Sequence, residues 1–198
     1  MTADKIVNMS NQSNLDPWKI VDSKIIHSTP WIEIIEDNCL ADNKELTYTY
    51  TRRVDEGPLI IAEDKNQKLW LVRQYRHPIK RIIWQFPAEG KYKDESWEEA
   101  AKRGLREELQ FDAKNWHDLG QFFVDPGGLD QKYHAYLATD LSNVQILDTH
   151  QNNDEVENLE IQSFSRKEID YLITNGELCD NWTLSGLFLY DRYKLGSS

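Results

Sequence analysis

The stretch Gln85–Phe111 reads QFPAEGKYKDESWEEAAKRGLREELQF. It holds an extended Phe-Pro-Ala turn, a short polar loop and a carboxylate-rich segment that predicts one helix over roughly Ser96–Gln110. Turned by about 100° per residue, that helix carries Trp97, Ala101, Gly104, Leu105 and Leu109 on one side. Glu108 falls within the same side, between Ala101 and Gly104, and Glu107 sits on its flank beside Arg103. A carboxylate aimed at a buried face is costly unless positive charge meets it. Where carboxylates cluster, a divalent cation commonly supplies that charge.

The flanks read as strands. Trp18–His27 and Trp31–Glu36 are separated by Ser28-Thr29-Pro30, and Leu46–Arg53 alternates Thr and Tyr. Pro58–Ala62 and Leu69–Tyr75 are apolar runs on either side of a turn at Glu63–Gln67, and Arg81–Phe86 leads into the quoted stretch. Beyond the helix come a strand near Trp116–Val124, a loop at Asp125–Gln131 and a strand at Tyr133–Ala138. Asp140–Asn158 is a long polar segment, followed by a strand at Leu159–Phe164. Ser165 and Glu168 form a capping-box pair that opens a helix to about Thr174, closed by Asn175-Gly176. Asp180 or Asn181 caps a last helix. Strands, helix, strands, two helices is the order of an α+β fold with helices covering a mixed sheet.

A net charge of −11 argues against nonspecific binding to nucleic acid or to an anionic membrane. It also means that an anionic substrate needs local basic residues or a metal. The two cysteines, Cys39 and Cys179, fit no metal or redox spacing, which is the usage of a reducing, cytoplasmic compartment. No apolar run approaches a membrane span, and residues 1–15 read as a flexible polar arm.

The quoted stretch resembles the Nudix box: Gly, five residues, Glu, seven residues, then Arg-Glu-apolar-x-Glu-Glu-x-Gly-apolar. Glu95, Arg103, Leu105, Glu107, Glu108 and Phe111 match it in register. Three positions depart: Glu89 stands for the first Gly, Gly104 for the first Glu of the metal cluster, and Gln110 for the last Gly. The likeness continues outside the box. Leu71-Val72-Arg73-Gln74-Tyr75-Arg76 resembles a strand of the ADP-ribose pyrophosphatase branch, and Asp125–Gln131 resembles its Ser-Pro-Gly loop. Tyr133–Asp140 and Gly176–Asp180 resemble segments that follow.

The resemblance implies an α/β/α sandwich with a mixed β-sheet and an N-terminal β-strand extension. Residues 16–57 would be the strands that build a homodimer, and residues 58–198 the hydrolase domain. It implies a metal-dependent enzyme that cuts a nucleoside diphosphate linked to another moiety, with ADP-ribose the leading substrate. Mg²⁺ or Mn²⁺ would be held by Glu107, Glu108 and the Ala88 carbonyl, while Glu95 and Arg103 support the box. Arg76 would hold phosphate, and Trp31 and Gln131 would contribute to substrate binding. The branch often carries a Glu base where Gln131 stands, and Gln cannot take a proton at neutral pH. Asp130, or Glu155 in the acidic segment with Asp154 and Glu157, is then the candidate base.

Each residue has a plainer reading. Glu107 and Glu108 could pair with Arg103 and Arg106, Arg76 with Glu89 or Glu108, and Trp31 could serve core or dimer packing. Gly104 reflects either close packing or loss of a ligand. A mid-helix Gly costs about 1 kcal/mol relative to Ala, so helix stability does not explain it. With Gly104 and Gln131 both off pattern, weak hydrolysis is expected. The alternative is an impaired domain that binds a nucleotide or a protein.

Overall fold

The structure, a computed structural model, describes residues 18–54, 56–144 and 158–196. The described residues up to Val54, together with Gly127–Asp130, form one compact unit, and the others form a second. The expected arm at 1–15 and the acids Asp148, Asp154, Glu155 and Glu157 lie outside the described residues.

The first unit is a three-stranded antiparallel meander: β1 (Trp18–Ser28), β2 (Ile32–Ala41) and β3 (Lys44–Arg53). Asp42 and Asn43 turn β2 into β3 with positive φ, the conformation that Asp and Asn tolerate best among side-chain-bearing residues. Ile35, Asp37 and Cys39 alternate into the buried set of β2, the period of two expected of a strand. β1 is exposed along its whole length, including Ile20, Val21, Ile25 and Ile26. Gly127–Asp130 attaches to β3 through Thr51 N–H to the Gly128 carbonyl (2.9 Å) and Asp130 N–H to the Thr51 carbonyl (3.2 Å). A simple division at residue 57 therefore does not describe the chain, because this loop hydrogen-bonds into the earlier unit.

The second unit is a mixed sheet between helices. Its strands are β4 (Gly57–Glu63), β5 (Leu69–Arg76), β6 (Arg81–Gln85), β7 (Phe111–Phe123), β8 (Lys132–Asn143) and β9 (Asn158–Phe164). The order is β6-β5-β4-β8-β7, with β9 on β5; β4 and β8 are parallel and the other pairs antiparallel. β4 is buried at every residue, as a strand covered on both faces must be. Leu59 and Ile61 pack on one face with Leu172 of α2 (Arg166–Thr174) and Leu187 and Tyr190 of α3 (Asn181–Gly196). Ile60 and Ala62 pack on the other with Ala101, Leu105 and Leu109 of α1 (Trp97–Leu109). The layers are those of an α/β/α sandwich.

The helix ends agree with their sequence signals. Ser96 accepts from the Glu99 amide while Glu99 accepts from the Ser96 amide, and Ser165 and Glu168 repeat the arrangement at α2. Asp180 Oδ1 accepts from the Thr183 amide at 2.8 Å and starts α3. Three strands run five residues past their expected limits: β2 continues to Ala41 along β3, β7 begins at Phe111 and β8 runs on to Asn143, since each is paired over that length. The first four residues of the expected polar segment at 140–158 are thus strand.

Candidate active site

The segment after β6 is laid along β4 in a fixed register. Ile60 N–H donates to the Pro87 carbonyl (2.9 Å), Glu89 N–H to the Pro58 carbonyl (3.3 Å) and Lys91 N–H to the Glu56 carbonyl (2.8 Å). Ala88 sits opposite Leu59, between two of these bonds, so its own carbonyl is directed away from β4. Gly57 permits the approach: a Cβ there would lie 1.7 Å from the Glu89 carbonyl oxygen. The alternation holds unbroken from residue 87 to residue 91, so the pairing with β4 fixes where Glu89 stands.

Arg103 organises the loop that follows. Its Nε donates to Glu95 Oε1 (3.0 Å) and its Nη2 to Glu95 Oε2 (2.9 Å), a bidentate pair. The same guanidinium donates to the Gly90 carbonyl and lies 4.2 Å from the centre of the Tyr92 ring. Its Nη1 meets Glu107 Oε2 at 3.0 Å and Glu89 Oε1 at 3.3 Å. These carboxylates hold the Arg103 pKa well above the ordinary guanidinium value. The hydrogen bonds from Arg103 hold Glu95 below the ordinary carboxylate range, whereas burial pushes Glu89 up despite Arg103.

Glu107 is exposed on the helix flank and Glu108 half-buried in the last turn. Of the two arginines expected to compete for Glu107, Arg103 holds it; Arg106 turns to Asp112 instead. Among the described residues, no three Asp, Glu, His or Cys side chains converge to hold a metal ion. Glu89 and Glu107, which could approach one, meet on Arg103 Nη1. In chemistry the donor set still fits a hard divalent cation, with carboxylates at 107 and 108, a third at 89 and the Ala88 carbonyl. The space beside the helix is already shaped around a carboxylate, since a Cβ at Gly104 would lie 2.7 Å from Glu89 Cβ.

Gln110 closes α1 in the left-handed conformation (φ 58°), which accounts for the Gly in the box pattern. Arg76 forms no ion pair with Glu89 or Glu108. Its Nε donates to Gln85 Oε1 (2.6 Å) and its guanidinium lies 5.2 Å from the Trp182 ring centre. Trp182 Nε1 is a buried donor without a hydrogen-bond partner among the described residues, and the Gln85 amide lies beside the buried Asp180 carboxylate without a well-formed bond to it. Sequence reasoning missed both residues: Gln85 reads as one more strand residue, and Trp182 as one more aromatic of the last helix. Gln131 is buried, and its amide donates to the Tyr133 hydroxyl (3.3 Å). In the first unit, Asp130 Oδ1 accepts from the Arg53 amide (3.2 Å), and Trp31 is 65% exposed. A separate cavity of about 620 Å³, lined by Glu63, Asp64, Trp70, Phe111 and Asp140 among others, includes none of the predicted site residues.

The model of the NUDIX domain family matches residues 37–180 of this chain. The chain belongs to the Nudix family. Nudix hydrolases generally need divalent metal ions. The chain is 31% identical over 121 residues to the ADP-ribose pyrophosphatase of Bacillus subtilis, covering 61% of this chain and 64% of that protein. It is 36% identical over 94 residues to the ADP-ribose pyrophosphatase of Mycobacterium tuberculosis, covering 46% and 44%. The matched region thus spans less than two thirds of the length of either relative. A crystal structure of an ADP compounds hydrolase superposes with a TM-score of 0.78 at 21% identity, covering 93% of this chain and 97% of that one. That likeness carries the fold, and the α+β reading with its mixed sheet agrees with it.

Proposed function

We propose that this Nudix protein hydrolyses the diphosphate of a nucleoside diphosphate linked to another moiety, ADP-ribose foremost, giving AMP and ribose 5-phosphate. The observation that carries the reading is the Arg103 brace. It joins Glu95 to Glu107 and fixes the box helix against the loop bearing Ala88 and Glu89. Support for the substrate class comes from the two relatives named ADP-ribose pyrophosphatase. Glu107, Glu108 and the Ala88 carbonyl would hold Mg²⁺ or Mn²⁺, with Arg103 orienting Glu107. When bound, the metal neutralises phosphate charge and lowers the pKa of a coordinated water.

The protein's own part is to bind and orient the diphosphate. Arg76 presents a guanidinium, braced by Gln85 and Trp182, whose fork matches phosphate oxygens. The buried donor Trp182 Nε1 would gain a partner from a ligand oxygen. Asp130 and Glu155 are the two candidates for the group that takes the proton of the attacking water. The missing helix carboxylate at 104 and the amide at 131 make the enzyme a slow one.

The exposed apolar residues Ile20, Val21, Ile25 and Ile26 of β1 support a homodimer formed through this strand. The acidic surface speaks against nucleic-acid and membrane partners. Cys39 and Cys179, both free thiols, suit a cytoplasmic location. A second reading, a domain that binds a nucleotide without cutting it, is favoured by the absence of a three-carboxylate cluster among the described residues. The test is incubation of the full chain with ADP-ribose and Mn²⁺, following AMP by chromatography alongside thermal stabilisation. AMP release that requires metal supports the hydrolase; stabilisation by ADP-ribose with no AMP supports the binding domain.

A further inference from the structure

We infer that Glu89 and Gly104 are a reciprocal exchange, in which the box carboxylate expected on the helix at 104 is delivered instead by Glu89 from the segment beside it. The inference rests on reading the box as a divalent-metal site.

Three observations carry it. A Cβ built on Gly104 would lie 2.7 Å from Glu89 Cβ, 3.2 Å from Glu89 Cγ and 2.7 Å from Ile60 Cδ1. The Glu89 side chain thus occupies the volume that a side chain at 104 would fill, and the two positions cannot both carry one without rearrangement. The backbone of 87–91 keeps one register along β4, so Glu89 is held there by the sheet. Finally, Glu89 Oε1 and Glu107 Oε2 both lie within 3.3 Å of Arg103 Nη1, so the delivered carboxylate faces the same group as the family's helix carboxylate at 107.

Gly104 makes room for Ile60 Cδ1 and Glu89 Cβ against the helix, but packing alone does not call for a carboxylate at 89. A glycine in mid-helix weakens the helix, and a half-buried carboxylate is a poor filler where a methyl or methylene group would do. Together they preserve a carboxylate count at the helix while swapping the element that bears it. The ligand class that needs such a count is a hard divalent cation, which takes oxygen donors from flexible and rigid elements alike.

The experiment is Mn²⁺ titration of the full chain, read by the electron paramagnetic resonance signal of free Mn²⁺. It uses the wild type, Glu89→Gln, Glu89→Gly, Gly104→Glu and the double variant Glu89→Gly/Gly104→Glu, each with a thermal melt. Glu89→Gln keeps the shape and is expected to bind Mn²⁺ about tenfold more weakly, the scale of losing one carboxylate that helps to hold a metal. Gly104→Glu alone is expected to melt below the wild type, and the double variant to regain part of the melting temperature, the Ile60 contact remaining, together with the Mn²⁺ affinity. Unchanged binding by Glu89→Gln, or a double variant that binds as weakly as Glu89→Gly, would overturn the exchange while leaving the metal reading intact. A wild type that binds no Mn²⁺ at saturating concentration would instead bring down the metal reading, and the exchange with it.

Discussion

Arg103 grips Glu95 with two nearly equal hydrogen bonds, 3.0 Å from Nε and 2.9 Å from Nη2, and so ties the middle of α1 to the loop before its own N-cap. Both side chains are largely buried, at 18% and 15% exposure, so solvent does little to screen the pair. The Glu107 arm of the same arginine is 52% exposed and adds less.

Removing Arg103 should therefore cost stability well beyond a surface ion pair. Arg103→Ala leaves Glu95 and Glu89 as uncompensated buried charges, and a loss of about 3 kcal/mol is expected in urea denaturation. Arg103→Lys should recover only part of it, because an ammonium cannot hold both Glu95 oxygens at once. Full recovery by lysine would mean that charge alone, and not the fork, holds the loop.

Gln110 ends α1 at φ 58°, where a side chain is strained. Gln110→Gly should raise stability by about 0.5 to 1 kcal/mol, the relief of the left-handed strain offset by the greater freedom of glycine in the unfolded chain. A melting temperature that stays put or falls would show that the Gln110 side chain makes contacts outweighing the strain.

Asp180 sets a pH dependence. Burial raises its pKa above the ordinary 3.8, with the Thr183 amide and the nearby Gln85 amide easing the shift in part. Its Oδ2 lacks a well-formed hydrogen bond. A raised folded-state pKa contributes stability that is fully present below the unfolded value near 3.8 and lost as pH climbs through the folded value. Asp180→Asn keeps a capping oxygen for Thr183 and has no charge to bury. The variant should match the wild type near pH 3.5 and become the more stable of the two toward neutrality. Parallel melting curves across that range would remove burial of the charge as the cause.

Arg76 offers a test of substrate binding that spares the fold. Arg76→Ala should lower kcat/KM for ADP-ribose by about a hundredfold, the size expected of a lost charge-assisted phosphate contact. Arg76→Lys should recover only part of it, since the stacking on Trp182 and the bond to Gln85 both use the planar guanidinium. Kinetics indifferent to Arg76 would move the phosphate site elsewhere.

The proton acceptor divides between two residues. Asp130→Asn retains the oxygen that accepts from the Arg53 amide, so the β3 attachment survives the change. Whichever of Asp130→Asn and Glu155→Gln lowers kcat by about a thousandfold, without altering Mn²⁺ affinity, identifies the base. If neither variant slows turnover, both candidates fall.

The sequence alone determined the elements whose signals are local. Ser96 with Glu99 and Ser165 with Glu168 announced two helix starts, because a capping box is closed between residues three apart. The box spacing brought Glu95, Arg103, Glu107 and Glu108 into one frame, and the alternation of apolar residues marked the buried strands. Tertiary structure decided what depends on register between distant segments. It attached Gly127–Asp130 to β3 and turned Arg76 toward Gln85 and Trp182 instead of a carboxylate. It also set the Glu89 side chain against Gly104, fifteen residues along the chain. No periodicity encodes such a meeting: it exists only because the sheet holds residues 87–91 in one register while the helix packs at a fixed height above Ile60.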